Sequence, residues 1–196
     1  MIAIVDYGAG NLRSVQKAFD CLGKENVITS DPGQVSRASR IVLPGVGHFA
    51  STASLNRLGL QPAIVDAIEQ GIPFLGICVG MQWLFQGSAE SAATSGLGIL
   101  PGRCERFPPD VKSPHVGWNS LQIDSASRLF CGISSSSFVY FTHSFRCPLG
   151  DGTVACCDYG GKFSVAIESG HVFGVQFHPE KSGDTGLKLL SNFCAL

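Results

Sequence analysis

An α/β fold, with a mostly parallel open sheet flanked by helices and an additional antiparallel β portion in the C-terminal half, is what this 196-residue sequence predicts. In the first half, short apolar runs alternate with stretches of helical periodicity, the order expected of a parallel sheet joined by right-handed crossovers. Beyond Gly98 the texture changes to short β-like pieces separated by glycine, proline and serine turns, as in antiparallel hairpins. No linker or internal repeat interrupts the chain, so residues 1–196 are expected to form a single domain whose second half is an elaboration of the first.

Ile2 to Val5 reads as the first, central strand, and Gly8-Ala9-Gly10-Asn11 as the turn into a helix from Leu12 to about Leu22. The two glycines of that turn are a weak phosphate-loop signal. The lysine of a P-loop and the third glycine of a dinucleotide fingerprint are both missing, so no nucleotide is assigned there. Val27 to Thr29 and Arg40 to Leu43 follow as short strands, the second delivering Pro44-Gly45-Val46-Gly47. Leu55 to Glu69 predicts a helix whose apolar face is Leu60, Ile64, Val65 and Ile68. Ile72-Pro73-Phe74-Leu75 is a short buried strand, and Ser88 to Ser95 a small, polar surface loop. In the second half, strands are expected at Ser120 to Ile123, Ser137 to Phe141, Thr153 to Cys157, Phe163 to Glu168 and Val172 to Phe177, before a closing helix from Gly186 to Phe193.

Composition excludes several classes of function. Fourteen basic and 15 acidic residues leave a net charge of −1, which gives no electrostatic footprint for nucleic acid or an anionic membrane surface. No apolar run approaches the roughly 20 residues of a membrane span. The apolar start, Met1 to Val5, is broken by Asp6 and lacks a basic flank, so it is a strand rather than a signal peptide. The eight cysteines show no C-x-x-C spacing, so neither a metal site nor a disulfide framework is expected, and a cytoplasmic setting is.

The chemistry begins at Gly76-Ile77-Cys78-Val79-Gly80-Met81-Gln82. A buried strand ends there, the chain turns sharply through a residue with glycine two positions away on either side, and a helix is expected at once over Met81 to Phe85. This is the pattern of a nucleophile elbow, in which side chains at the flanking positions would clash. It leaves the thiol of Cys78 at a helix N-terminus, where unpaired N–H groups favour the thiolate. A hundred residues on, His178 and Glu180 follow the strand that runs through Gln176-Phe177. Two apart on a chain kept extended by Pro179, they point the same way, so the carboxylate can hold the imidazole while the imidazole faces a thiol. His115, His143 and His171 compete for the role of base, but only His178 has a carboxylate two residues away. A donor for a tetrahedral oxyanion is expected from the peptide N–H groups at Val46 and Gly47, with a second from Val79, the residue after the nucleophile; such donors are worth about 3 kcal/mol each.

Taken together, Gly76 to Gln82 and Gln176-Phe177-His178-Pro179-Glu180 resemble the class I (triad) glutamine amidotransferases, with Cys78, His178 and Glu180 matching their catalytic Cys, His and Glu. Pro44 to Gly47, Pro114-His115-Val116-Gly117-Trp118-Asn119, Tyr140-Phe141-Thr142-His143-Ser144-Phe145 and the extension to Lys181-Ser182 narrow this to the glutaminase subunits of imidazole glycerol phosphate synthases, and the match runs from the first strand to the last helix. The resemblance implies that Gln82, Ser144 and Phe145 hold the glutamine substrate. It also implies that Asn11, Trp118, Asn119, Tyr140 and Lys181 face a (β/α)8-barrel cyclase in a heterodimer, and that no cofactor or metal is used. Two positions depart from the motif: Phe145 lacks the hydroxyl of the usual tyrosine, and Val79 replaces a leucine without affecting its N–H. The reaction so implied is hydrolysis of glutamine through a γ-glutamyl thioester, the ammonia passing to a partner that makes imidazole glycerol phosphate and a carboxamide ribonucleotide in histidine biosynthesis. A glutaminase subunit of another amidotransferase, a free-standing hydrolase of γ-glutamyl compounds and a catalytically silent scaffold subunit are the alternatives.

Overall fold

The computed structural model describes residues 1–124 and 126–196. The first half alternates strand and helix as expected: β1 (Ile2–Val5), α1 (Leu12–Cys21), β2 (Asn26–Thr29), α2 (Pro32–Ser36), β3 (Arg40–Gly45), α3 (Ala53–Arg57), α4 (Leu60–Glu69), β4 (Phe74–Cys78) and α5 (Val79–Gln82). The second half is largely β: β5 (Gly87–Ser88), β6 (Ser91–Ser95), β7 (Glu105–Arg106), β8 (His115–Ser120), β9 (Gln122–Ile123), β10 (Phe138–His143), β11 (Phe145–Arg146), β12 (Thr153–Asp158), β13 (Lys162–Ser169) and β14 (Val172–Val175), closed by α6 (Gly183–Phe193).

One eight-stranded sheet takes strands from both halves, in the order β2-β1-β3-β4-β14-β13-β12-β9. β2, β1, β3, β4 and β14 run parallel, and β13, β12 and β9 continue the sheet antiparallel. β4 lies in the middle with all five residues buried, which is why its sequence is apolar without alternation. Because β3, β4 and β14 are adjacent and parallel, their C-terminal ends open on the same edge of the sheet, the edge where ligands bind in open α/β folds. Among the described residues, three two-stranded ribbons, β8–β10, β7–β11 and β5–β6, form separate sheets.

Several local expectations are corrected. The helix expected over residues 55–69 is two helices separated by Gly59, which takes a left-handed φ of +69°, and the buried face of α4 is Leu60, Ala63, Ile64 and Ala67, with Val65 and Ile68 only partly buried. Residues 88–95 are not a plain surface loop: they carry the β5–β6 pairing, and Ser88 is fully buried. The helix after Cys78 is a single turn, Val79–Gln82, and not the longer helix expected over Met81 to Phe85, so it is too short to build a macrodipole. The chain past β14 is not extended. Pro179–Lys181 forms a 3₁₀ turn capped by His178, and this turn, not an extended pair of residues, brings Glu180 back to the imidazole.

The sharp turn at the end of β4 has a steric cause. Cys78 sits at φ +55° and ψ −108°, a conformation costing a residue with a Cβ about 1–3 kcal/mol. What makes room for it is contact between backbones. A Cβ on Gly80 would lie 1.9 Å from the Leu43 carbonyl oxygen, and one on Gly76 would lie 2.4 Å from the Gly80 carbonyl oxygen. β3 therefore touches the first turn of α5 backbone to backbone, and either added methyl would push the elbow off the sheet. Gly80→Ala is expected to lose about 3 kcal/mol or more of stability in urea denaturation. Gly150→Ala, whose added Cβ meets nothing within 4 Å, is expected to stay within about 0.5 kcal/mol of the wild type.

Candidate active site

The site is assembled where β3, β4 and β14 end. Cys78 is 3% exposed and closes β4, paired in register with Gly45 of β3. Past the end of β14, His178 is anchored by its backbone: its N–H donates to the Tyr140 carbonyl at 2.9 Å, and its carbonyl accepts from the Ser182 hydroxyl at 2.7 Å. Ser182 in turn accepts from the Tyr140 N–H at 3.0 Å, so the turn carrying the imidazole is clamped to β10.

His178 Nδ1 and Glu180 Oε1 are 2.9 Å apart, with both side chains almost completely buried. A carboxylate can only accept, so Nδ1 carries the proton and Nε2 is the nitrogen left for other work. Nε2 is buried without a hydrogen-bond partner; the Cys78 sulfur lies close enough to interact with the ring, although no hydrogen bond between them is completed. Burial opposes a charge on His178, but the Cys78 sulfur and the Glu180 carboxylate outweigh it and push its pKa from 6.5 up to about 10. The other histidines differ. Burial pulls His115 down to about 4 and His143 down to about 3, so both are neutral at ordinary pH, and His171 is exposed on the far edge, its carbonyl accepting from the Phe74 N–H at the start of β4.

Beside the thiol is a cavity of about 120 Å³. Val46, Gly47, Cys78, Val79, Gln82, Ser144 and Phe145 all line it, so every residue expected to act as nucleophile, oxyanion donor or substrate contact is brought to one place. β3 ends at Gly45, so the Val46 and Gly47 peptides lie beyond the ladder, with Gly47 at φ +100°. Val79 opens α5, where helix N–H groups have no partner within the helix. Gln82 is buried and its amide nitrogen donates to the Phe145 carbonyl and to Gln176 Oε1, each at 3.1 Å.

Four further residues enter the site without having been assigned a role there from the sequence. Gln176 is fully buried and its Nε2 lies 3.6 Å from the Cys78 sulfur, joining the thiol to Gln82. Glu90 lines the cavity and accepts from the Phe49 N–H at 2.7 Å, and Thr142 and His143 complete the wall. The signal for Gln176 was present, since it stands two residues before His178; none pointed to Glu90. Among the described residues no group of His, Cys, Asp or Glu is arranged to hold a metal ion, and all eight cysteines are free.

The residues expected to face a partner fall into two sets. Trp118 and Tyr140 are paired across β8 and β10, their rings 6.1 Å apart, and Lys181 Nζ stands 5.8 Å from the Tyr140 ring. Val116, Trp118 and Phe138 on the same ribbon are each more than half exposed. Asn119 is tied into the ribbon, accepting from the Ser120 N–H at 2.8 Å, and Asn11 opens α1 without capping it by its side chain.

Comparison with known proteins gives the family to which the chain belongs. The family described as glutamine amidotransferase class-I matches residues 3–195. "Imidazole glycerol phosphate synthase subunit HisH" of Moorella thermoacetica is 47% identical, covering 98% of this chain and 93% of its own. The subunit of the same name from Methanothermobacter thermautotrophicus is 48% identical, covering 98% and 97%. Among solved structures, "PurLQS" from Thermotoga maritima superposes with a TM-score of 0.78 at 21% identity, covering 99% of this chain and 97% of that one. A glutamine amidotransferase crystal structure superposes with a TM-score of 0.77 at 20% identity, covering 99% and 100%, and at such identities both structures speak to the fold alone. With the family matched almost end to end and relatives near half identical over nearly the whole length, the chain belongs to the class-I glutamine amidotransferases, within the HisH subunits of imidazole glycerol phosphate synthase.

Proposed function

We propose that this chain hydrolyses glutamine at Cys78 and passes the ammonia to a (β/α)8-barrel cyclase partner that makes imidazole glycerol phosphate in histidine biosynthesis. The observation that carries the reading is the relay at the strand ends: Glu180 holds Nδ1 of His178, whose remaining nitrogen is free on the side of a thiol kept at positive φ. Cys78 is the nucleophile. His178 takes its proton, the sulfur attacks the side-chain amide carbon, and the imidazolium returns the proton to the departing ammonia. A raised His178 pKa suits this role, because the ring, once it has taken the Cys78 proton, keeps it beside the sulfur and the Glu180 carboxylate until ammonia departs. Water then attacks the γ-glutamyl thioester with His178 as base, and glutamate leaves. The oxyanion formed in both halves is met by N–H groups at Val46, Gly47 and Val79, while Gln82, Ser144 and Phe145 hold the substrate's α-amino and α-carboxylate groups. Phe145 contributes by its backbone, since it has no hydroxyl to offer.

A partner is favoured over a free-standing hydrolase by the exposed apolar ladder of Val116, Trp118 and Phe138 beside Tyr140 and Lys181. With Asn11 and Asn119 it forms the docking face for the cyclase in a heterodimer. We assign residues 1–196 to one domain, in keeping with a single sheet that draws strands from both halves, and the reaction to the cytoplasm, in keeping with eight free thiols.

The direct test is release of glutamate and ammonia from glutamine, alone and with a barrel cyclase plus its nucleotide ligand. Stimulated release by wild type and none above background by Cys78→Ala are expected; equal release by the two proteins would refute the assignment. Glu180→Gln is expected to lower stimulated turnover about 10²-fold. It should also draw the alkaline limb of the rate profile below the wild type's limb near pH 10, because loss of the carboxylate lowers the His178 pKa. The same sign governs stability. A histidine raised from 6.5 to about 10 stabilises the fold fully below pH 6.5 and loses that contribution as pH rises through 10, so the urea-midpoint gap between wild type and Glu180→Gln should close over that window. Trp118→Ala is expected to weaken cyclase binding in calorimetry by about 2 kcal/mol, roughly 30-fold, with an unchanged thermal melt.

A further inference from the structure

His115 and His143 are the last pair of the β8–β10 ladder, directly opposite one another, and the chain runs from His143 straight into the cavity wall at Ser144 and Phe145. Their hydrogen bonds define the protons on both rings. His143 Nδ1 is 2.8 Å from the Phe145 carbonyl oxygen, which can only accept, so Nδ1 bears hydrogen. In a neutral ring Nε2 is then an acceptor, and it lies 3.2 Å from His115 Nδ1, which must therefore donate. Burial keeps both rings neutral. The His115 ring is held in place by stacking, with centroids 4.0 Å from Tyr159 and 4.7 Å from Phe141.

The Phe145 carbonyl has two lone pairs and two donors, His143 Nδ1 and Gln82 Nε2. Both are residues of the cavity. Turning the Phe145 peptide would leave a buried histidine N–H and a buried amide N–H without acceptors, and the desolvation of both would go unrepaid. The segment that lines the cavity is thereby kept in one orientation by groups that play no part in bond making.

We propose that His115 and His143 are positioning residues for glutamine: the chain of hydrogen bonds from His115 through His143 to the Phe145 carbonyl fixes the substrate-binding wall and so sets affinity for glutamine, not the rate of the chemical steps. This rests on the glutaminase reading of the same site. It gives the two histidines a role that the competition among bases for Cys78 left unassigned.

Steady-state glutamine hydrolysis by the complex with the cyclase tests it with three variants. His143→Leu removes the donor to Phe145. His143→Asn keeps an N–H at the same number of bonds from the backbone. His115→Phe keeps the stack and removes the donor to His143. His143→Leu is expected to raise KM for glutamine about tenfold with kcat changed less than about threefold. His143→Asn should recover most of that loss, and His115→Phe should raise KM to a smaller extent. An unchanged KM in folded His143→Leu, a fall in kcat with KM unmoved, or an asparagine variant no better than leucine would each overturn the proposal. Should the wild type itself release no glutamate, the glutaminase reading falls separately. The proposal is then decided by calorimetric glutamine binding in the Cys78→Ala background, where equal affinity with and without His143→Leu refutes it.

Discussion

Contact between the Leu43 carbonyl and the α-carbon side of Gly80 is the constraint on which the site depends. Only a residue without a Cβ lets β3 and the first turn of α5 approach so closely, because an added methyl would stand 1.9 Å from the oxygen. The same crowding, repeated between Gly76 and the Gly80 carbonyl, forces the chain to reverse at the residue between them. Cys78 is that residue, and its positive φ is the local cost of presenting a thiol at the sheet edge, where the peptide groups after β3 can meet it.

Parallel pairing then does the rest of the placement. β4 has β3 on one side and β14 on the other, so the segments Val46–Gly47 and Gln176–Glu180 emerge on either side of Cys78. Gln176 bridges the sulfur to Gln82, and Gln82 reaches the Phe145 carbonyl, which connects the elbow to the wall built by the antiparallel half. The second half is thus part of the site. It supplies the turn that clamps His178, the ribbon that carries the exposed aromatic ladder, and the neutral histidine pair beside the cavity wall.

The elbow and the His–Glu relay were legible in sequence because each follows from local spacing: glycines two residues from Cys78 on both sides, and a carboxylate two residues from His178. The parallel core was legible for the same reason, its strands being uninterrupted apolar runs. Reading failed where tertiary contact overrode a local rule. Pro179 suggested an extended chain, yet the clamp between Ser182 and Tyr140 folds it into a 3₁₀ turn. Gly59 divided what looked like one helix, and Ser88 to Ser95, polar enough for a loop, pairs as a ribbon whose neighbour Glu90 enters the cavity. Trp118, by contrast, was placed on a partner-facing surface by the resemblance, and it is exposed. The His115–His143 pair depends on a register between strands more than 20 residues apart, which no local pattern encodes.

The central claim is that a glutamyl group passes through the sulfur of Cys78. Rapid acid quenching of the protein during turnover of glutamine, followed by peptide mapping by mass spectrometry, tests it most directly. A γ-glutamyl thioester on the peptide containing Cys78, formed in wild type and absent from Cys78→Ala, is the result expected. Glutamate production with no adduct on that peptide, or with the adduct on another cysteine, would contradict the account.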